Sequence, residues 1–411
     1  MGLQAYQPRY RVRDKYKIMG FISSGTYGRV YKATDRSGRP GEYAIKKFKP
    51  DKEGEQLAYT GISQSAIREM SLCTELRHAN VVKLIEIILE PKCIYIVFEF
   101  CEHDLLQIIH HHTQHPRRPI MPTAIKSIMF QLLNGCLYLH TNWILHRDLK
   151  PANIMVSSSG EVKIGDLGLA RQFNKPLHSL FSGDKVVVTI WYRAPELILG
   201  SQHYGPPIDM WAVGCIFAEL MSLRPIFKGE EAKMDSKKTV PFQRSQMQKI
   251  VDIMGMPSRD RWPLVVHMPE QTSLSMMLQP HHNLYQKPPN TSLLEKWYHQ
   301  AVNGLNVPGA NTTPGSPYPL TSLGAEGYRL LAGLLEYDPQ KRLSASQALQ
   351  HPFFSTGDRL TAGCFEGLKN EYPHRRISPD DEMRTQGSIS GSKRSGLHDD
   401  SLGRASKRLK E

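Results

Sequence analysis

The sequence predicts an α+β protein of two dissimilar lobes, a small β-rich lobe followed by a larger α-helical one. Apolar and polar residues alternate with the period of strands at 16–35, 42–48, 81–89 and 93–100. One key helix is predicted between the second and third of these runs. From about 104 to 351 the apolar residues recur with the period of helices. Because the strands come first and the helices follow, the two kinds of structure are expected to separate into different lobes.

The composition is that of an ordinary soluble globular protein. Hydrophobic residues make up 40% of the 411 residues and charged residues 22%, which excludes wholesale disorder. No run approaches the roughly 18 apolar residues of a membrane span, and the first residues carry cations where a signal peptide is apolar. We therefore expect a protein that is neither secreted nor inserted in a membrane. The net charge of +13 favours anionic partners.

The cysteines are scattered, and none forms a C-x-x-C pair. Most of them lie in apolar stretches, which predicts reduced core residues in a reducing compartment. They are Cys73, Cys93, Cys101, Cys136, Cys215 and Cys364.

The chain divides into an arm, a folded domain and an extension. Residues 1–15 form a basic arm, which is interpreted either as a solvated charge run or as a docking element for a partner. The domain is expected to comprise a first lobe at about 16–101 and a second at about 102–355. Residues 356–411 form an extension, and its Ser-, Gly-, Lys- and Arg-rich part, from about 378, is predicted to be disordered.

Several short motifs whose residue types could bind a ligand or catalyse a reaction follow one another in a fixed order. The first is a glycine-containing turn at 24–30 (SGTYGRV), which alone is more often a simple hairpin turn. A lysine at the end of an apolar strand, Lys46, is alone more often an edge residue. Three further motifs follow at 146–153 (HRDLKPAN), 166–168 (DLG) and 194–196 (APE). Their joint occurrence in this order is much more specific than any one of them.

In this order the motifs resemble those of the eukaryotic protein kinases over residues 16–355. The resemblance implies the bilobal protein kinase fold and transfer of the ATP γ-phosphate with Mg²⁺ as cofactor. Such a site positions ATP, neutralises phosphate charge and orients the acceptor hydroxyl. By resemblance, Lys46 contacts the phosphates and pairs with Glu69. The remaining roles fall to Asp148 as catalytic base, Lys150 at the γ-phosphate, and Asn153 and Asp166 as Mg²⁺ ligands.

The resemblance also implies the surroundings of the nucleotide. Each apolar residue among them would, taken alone, more often be plain core. Ser23 stands where the family usually has glycine, and we expect it to weaken nucleotide binding slightly. Leu167 replaces a phenylalanine of the family pattern. The implied ATP-binding residues, besides Lys46, are Ile22, Ser23, Ser24, Gly25, Thr26, Tyr27, Gly28, Arg29, Val30, Ala44, Phe98, Glu99, Cys101, Asp104 and Met155.

Further segments resemble the cyclin-dependent kinases and, among them, the Mediator-associated branch that acts with a C-type cyclin. They are 63–69 (SQSAIRE), 102–105 (EHDL), 186–189 (VVVT) and 191–197 (WYRAPEL). The resemblance implies a C-type cyclin and other Mediator kinase module subunits as partners, with a Lys46–Glu69 pair that forms only when the cyclin holds the helix. It also implies a nuclear location and the RNA polymerase II C-terminal repeat as substrate.

Substrate choice and activation follow from the same resemblance. Val187, Val188 and Arg193 would shape a pocket for a proline after the phosphorylated residue. Asp184 stands where most relatives carry an activating threonine, opposite an arginine cluster. We expect Asp184 to replace the phosphate in part, so that cyclin binding suffices for activity; the alternative is an exposed loop residue. The cluster comprises Arg68, Arg147 and Arg171.

Other functions remain as alternatives. A cell-cycle cyclin-dependent kinase is one, and a pseudokinase scaffold is another, although a scaffold has no reason to keep all the catalytic residues. A nucleic-acid-binding module is the weakest, because no recognised motif accompanies the charge, and no direct nucleic-acid partner is expected. The histidines at 110–112 are interpreted as a solvated helix end and not as a metal site. Basic clusters at 393–394 and 407–410 are read either as nuclear import signals or as a solubilising tail.

Overall fold

A five-stranded antiparallel sheet forms the N-terminal lobe in this computed structural model. The structure describes residues 10–25, 28–48, 64–90, 93–114, 118–173, 189–232, 241–277, 291–303, 320–368 and 372–379. The strand order is β1-β2-β3-β5-β4. The strands are β1 (Tyr16–Gly25), β2 (Gly28–Asp35), β3 (Glu42–Phe48), β4 (Leu84–Glu90) and β5 (Cys93–Glu99).

Two helices accompany this sheet, a single turn α1 (Val12–Lys15) before β1 and the longer α2 (Gln64–Glu75) between β3 and β4. On α2 the buried residues Ala66, Glu69 and Cys73 recur at intervals of three and four, so that one face of the helix meets the body of the protein.

The C-terminal lobe is helical, which confirms the predicted α+β architecture. The helix α6 is buried along its whole length from Ile208 to Ser222, as expected for a helix that is apolar on all sides. The helices are α3 (Leu105–Thr113), α4 (Pro122–Thr141), α5 (Pro195–Ile198), α6 (Pro207–Ser222), α7 (Arg244–Met254), α8 (Gln271–Met276), α9 (Leu294–Val302), α10 (Gly324–Leu334) and α11 (Ala345–Leu349).

Short strands occur in the C-terminal lobe, and three of them contribute Asp104, Met155 and Ile164 to the cleft between the lobes. One sheet has the order β6-β8-β9, and β7 pairs with β10. In the first sheet Asp104 lies opposite Met155. The strands are β6 (His103–Asp104), β7 (Ile144–Leu145), β8 (Ile154–Val156), β9 (Val162–Ile164) and β10 (Arg171–Gln172).

The described part of the basic arm packs against the sheet. The Val12 N–H donates to Glu90 Oε1 at 2.7 Å, and Lys15 Nζ lies 2.6 Å from Glu86 Oε1. The hydroxyls of Tyr10 and Tyr16 also donate to Glu86. Burial opposes ionisation of Glu86, but these hydrogen bonds lower its pKa. The interpretation as a solvated charge run therefore fails for Lys15, whose ammonium group pairs with the partly buried Glu86, whereas Arg11 and Arg13 are exposed as that interpretation expects.

All six cysteines are free thiols, and five of them are buried. Within the described ranges, no helix has the length and apolar character needed to cross a membrane.

The chain continues on the surface of the domain beyond residue 355. Cys364 is buried, and its N–H donates to the Gly160 carbonyl at 2.9 Å. Ser378, where the sequence predicts disorder to begin, exchanges two backbone hydrogen bonds with Phe21 at 2.8 and 2.9 Å. Ser378 itself is thus paired with a strand, whereas the residues after 379 lie outside the described part of the chain and their disorder stays a prediction.

A buried ion pair fastens α5 to the C-terminal part of the domain. Arg342 Nη1 and Nη2 lie 2.7 and 3.0 Å from the two carboxylate oxygens of Glu196, and the side chains are 0% and 3% exposed. We expect Arg342→Met to lower the free energy of unfolding by about 3–5 kcal/mol, because Glu196 would keep an uncompensated buried charge. Urea unfolding measures this change.

The control is Arg329→Met, which removes an exposed pair with Glu326 on one helix. It should cost at most about 1 kcal/mol. Equal costs for the two variants would contradict the importance of the buried pair.

Candidate active site

A cavity of about 470 Å³ lies between the lobes, within the size range of small-molecule sites. Most of the residues predicted to surround a nucleotide line it together. They are Ile22, Ser23, Ser24, Gly28, Val30, Ala44, Lys46, Phe98, Glu99, Cys101, Asp104 and Met155.

Arg29, another predicted nucleotide residue, is not among the described residues that line this cavity. Gly25 and Arg29 lie at the β1–β2 end of the sheet, where Arg29 is opposite Ser24. Thr26 and Tyr27 fall outside the described residues. The sequence missed Cys73, Val81 and Arg375, which also line the cavity. Their places depend on contacts between distant segments.

Three charged side chains meet at the inner end of the cavity. Lys46 Nζ on β3 lies 2.6 and 2.9 Å from the carboxylate oxygens of Glu69 on α2, and 3.0 Å from Asp166 Oδ1. The charge of Lys46 lowers the pKa of Asp166. The expectation that the pair forms only when a partner holds the helix is wrong for this structure, since the pair is closed in the single chain.

Asp166 has a backbone conformation that L-residues adopt infrequently. Its φ is +55°, in the left-handed region, immediately before the 3₁₀ turn Leu167–Leu169. This conformation costs on the order of 1–3 kcal/mol and is typical of functional sites. It brings the Asp166 carboxylate to Lys46.

Asp148 lies on the loop after β7 and is surrounded by donors. Lys150 Nζ and Asn153 Nδ2 lie 2.8 and 3.0 Å from its Oδ2 atom, and Asn153 Nδ2 also donates to the Asp148 carbonyl at 2.8 Å. Because both bonds go to Oδ2 in the part of the chain that the structure describes, Oδ1 is the oxygen left to accept a proton from another molecule.

A buried carboxylate that the sequence analysis missed fixes this loop. Asp209 on α6 accepts the backbone N–H groups of His146 and Arg147, both at 2.9 Å, and a hydrogen bond from His140 Nε2 at 3.0 Å. Burial opposes its ionisation, but the hydrogen bonds lower the pKa of Asp209. No local motif marks it, because it lies 63 residues from His146 within an apolar helix.

Comparison with known proteins identifies the family of this chain. A profile of the protein kinase domain matches residues 16–354, most of the chain. The chain belongs to the protein kinase family. A protein of Chaetomium globosum called serine/threonine-protein kinase SSN3 is 69% identical to this chain, and the alignment covers 100% of this chain and 82% of the relative. The protein of the same name in Gibberella moniliformis is also 69% identical, over 99% of this chain and 94% of the relative. The one from Emericella nidulans is 64% identical (99% and 93%). The protein is thus a Ser/Thr protein kinase, and the predicted kinase resemblance is confirmed.

Protein kinases in general use ATP and Mg²⁺. The donor set here fits that ion, because Mg²⁺ is usually held by one or two carboxylates together with phosphate oxygens. Asp166 supplies a carboxylate, and the Nδ2 atom of Asn153 is engaged by Asp148, which leaves its Oδ1 for a cation. Among the described residues, no group of three or more His, Cys, Asp or Glu side chains forms a metal site.

Two of the predicted cluster arginines contact the segment after Asp166. Arg68 Nη1 donates to the Gly168 carbonyl at 2.7 Å, and Arg147 Nε donates to the Leu169 carbonyl at 2.7 Å. Arg171 lies on β10 opposite Leu145. Asp184, the predicted anion of this cluster, lies outside the described residues. Its role stays a prediction.

The predicted substrate pocket is described only in part. Val187 and Val188 lie outside the described residues. Arg193 is buried, which lowers its pKa to about 10, and it lines a small pocket together with Asp148 and Thr189. The kinase thus places Arg193 next to the loop that carries Asp148.

Of the histidines at 110–112, His110 and His111 are exposed as predicted, and only His112 differs from its predicted environment. His112 Nε2 lies 2.8 Å from the Tyr372 hydroxyl and Nδ1 2.9 Å from the Arg118 carbonyl. Burial lowers the pKa of His112 to about 4. A solvated helix end is therefore wrong for His112, because the extension after the domain covers it.

Proposed function

We propose that this kinase transfers the γ-phosphate of ATP to serine or threonine followed by proline, as the cyclin-dependent kinase subunit of the Mediator complex in the nucleus. Its substrates would be the RNA polymerase II C-terminal repeat and transcription factors. One observation carries the catalytic part: Lys46, Glu69 and Asp166 meet at one end of the same cavity that Asp148 and Asn153 line.

The chain's own residues divide the work of phosphoryl transfer. Lys46, oriented by Glu69, binds phosphate oxygens, and Asp148 Oδ1 accepts the hydrogen bond of the acceptor hydroxyl and orients it. Lys150 lies 2.8 Å from Asp148 Oδ2 and so adds a positive charge near the transferred group. Asp166 and Asn153 would hold Mg²⁺. That ion neutralises the charge of the phosphates when bound.

The preference for proline rests on the residues around Arg193. A backbone N–H after the phosphorylated residue would be buried there without a partner, and proline has no such N–H. Changing that proline to alanine in a peptide substrate should lower kcat/KM by about tenfold or more.

Steady-state rates on a peptide series measure this preference. The control peptide replaces the residue before the serine and keeps the proline, and its rate should stay near that of the parent. Equal rates for the Ser-Pro and Ser-Ala peptides would remove the proposed specificity.

The partner proposal rests on an apolar surface next to α2. Ile67 on α2 is 47% exposed, and Ile85 and Leu89 are exposed on β4. A C-type cyclin that covers this surface would hold Glu69 against Lys46 and exclude conformations in which the pair opens.

We expect the cyclin to raise kcat/KM at least tenfold and Ile67→Asp to abolish that stimulation, because a charge would be buried at the interface. Leu264→Asp is the matched control, since Leu264 is equally exposed, at 46%, but on the C-terminal lobe. Co-purification and peptide phosphorylation provide the measurements. Full activity of the single chain at nanomolar concentration would contradict this part of the proposal.

A further inference from the structure

The extension after the kinase domain returns to the cleft. Residues 372–379, called the C-terminal strap here, lie beyond the region 16–354 that the family profile matches. At one end the Tyr372 hydroxyl contacts His112 on the C-terminal lobe. At the other end the backbone of Ser378 pairs with Phe21 on β1. The strap therefore connects the two lobes across the nucleotide cavity.

The strap fits closely against β1 at Gly20. A Cβ atom at that residue would lie 2.3 Å from Ile377 Cγ2 and 2.7 Å from the Ser378 carbonyl oxygen. Only glycine leaves room for this approach.

Arg375 of the strap reaches into the cavity. Its Nη2 atom lies 2.6 Å from Asp104 Oδ2 and 3.7 Å from Met155 Sδ, and its side chain is only 11% exposed. The other Asp104 oxygen, Oδ1, accepts the Gln107 N–H at 2.8 Å and so caps α3. Arg375 thus binds Oδ2, the Asp104 carboxylate oxygen that does not cap the helix.

The ion pair with Asp104 stabilises the position of Arg375, whereas the burial of an unpaired Nε atom opposes it. The Arg375–Asp104 bond is charge-assisted and stronger than a bond from a neutral hydroxyl. In contrast, the Arg375 Nε atom is buried and has no hydrogen-bond partner among the described residues. An unpaired buried donor is costly, so release of Arg375 to water recovers part of the lost energy.

We propose that Arg375 sets the affinity of this site for its nucleotide by competing with the sugar hydroxyls for Asp104. This inference rests on the proposed use of ATP. Carboxylates are the usual acceptors for ribose hydroxyls at nucleotide sites, and Asp104 Oδ2 is the oxygen that both groups need. ATP binding then requires Arg375 to leave Asp104, and the C-terminal strap lowers the nucleotide affinity of the full chain.

The experiment compares Arg375→Ala with Arg376→Ala in the full chain, using the dissociation constants of ATP and of 2′,3′-dideoxy-ATP. Arg376 is the matched control, because it is the adjacent strap arginine and is exposed. Arg375→Ala should tighten ATP binding by about tenfold and leave dideoxy-ATP binding within about twofold, since the latter has no sugar hydroxyl to compete. Arg376→Ala should change neither.

A second variant tests the strap independently of Arg375. Ser378→Pro removes the N–H that Phe21 accepts and should also tighten ATP binding. Unchanged or weaker ATP binding by Arg375→Ala would overturn the inference, and so would equal tightening for both nucleotides. Failure of the wild-type chain to bind either nucleotide would instead refute the proposed function.

Discussion

Replacing Asp148 by asparagine is expected to lower kcat for peptide phosphorylation by about 10²–10⁴-fold. Lys150 and Asn153 both donate to Oδ2, so the amide oxygen of the new side chain should take that place. The amide NH₂ group then lies where Oδ1 was. It can only donate a hydrogen bond, whereas the substrate hydroxyl needs a hydrogen-bond acceptor at that place. The loss should therefore fall on kcat and spare ATP binding.

Steady-state phosphorylation and ATP titration of the same preparation separate these effects. Asp260→Asn is the control, because Asp260 is exposed and lies away from the cavity. A normal rate for Asp148→Asn would show that another group acts as the base.

Replacing Asp209 by alanine is expected to lower both activity and stability. The backbone N–H groups of His146 and Arg147 and the His140 ring would lose their common acceptor, and Asp209 is 2% exposed, so water replaces it poorly. We expect a loss of about 3–5 kcal/mol in the free energy of unfolding and a fall in kcat of at least about 10²-fold, since the loop that carries Asp148 is no longer fixed.

The pH dependence distinguishes this carboxylate from an ordinary surface one. Because the folded pKa of Asp209 is lowered, its contribution to stability is full above the unfolded carboxyl pKa of about 3.9 and is lost as the pH falls through the folded value. Acid unfolding of the alanine variant should therefore depend less steeply on pH than that of the wild type. Asp260→Ala should leave both the stability and the acid transition unchanged.

The sequence was sufficient where function depends on local patterns. Lys46 on its apolar strand and the 146–153 and 166–168 motifs were predictable, because each motif places its side chains within a few residues of one another. The lobes were predictable for a similar reason, since the periods of two and 3.6 are properties of single segments.

Contacts between distant segments were not predictable in this way. Asp209 looks like an isolated charge in an apolar helix until the fold brings it to His146. The partner of His112 lies 260 residues away, and Arg375 belongs to the extension that follows the predicted domain. These contacts depend on where the chain returns after the domain, which no local period encodes.

The most direct test of the central claim is transfer of ³²P from γ-labelled ATP, with Mg²⁺, to a peptide of the RNA polymerase II heptad repeat by the chain purified with a C-type cyclin. We predict label on serines that precede proline, at a rate that Asp148→Asn reduces by about 10²–10⁴-fold. A complex that binds ATP but transfers no label, or that labels residues without a following proline, would contradict the account.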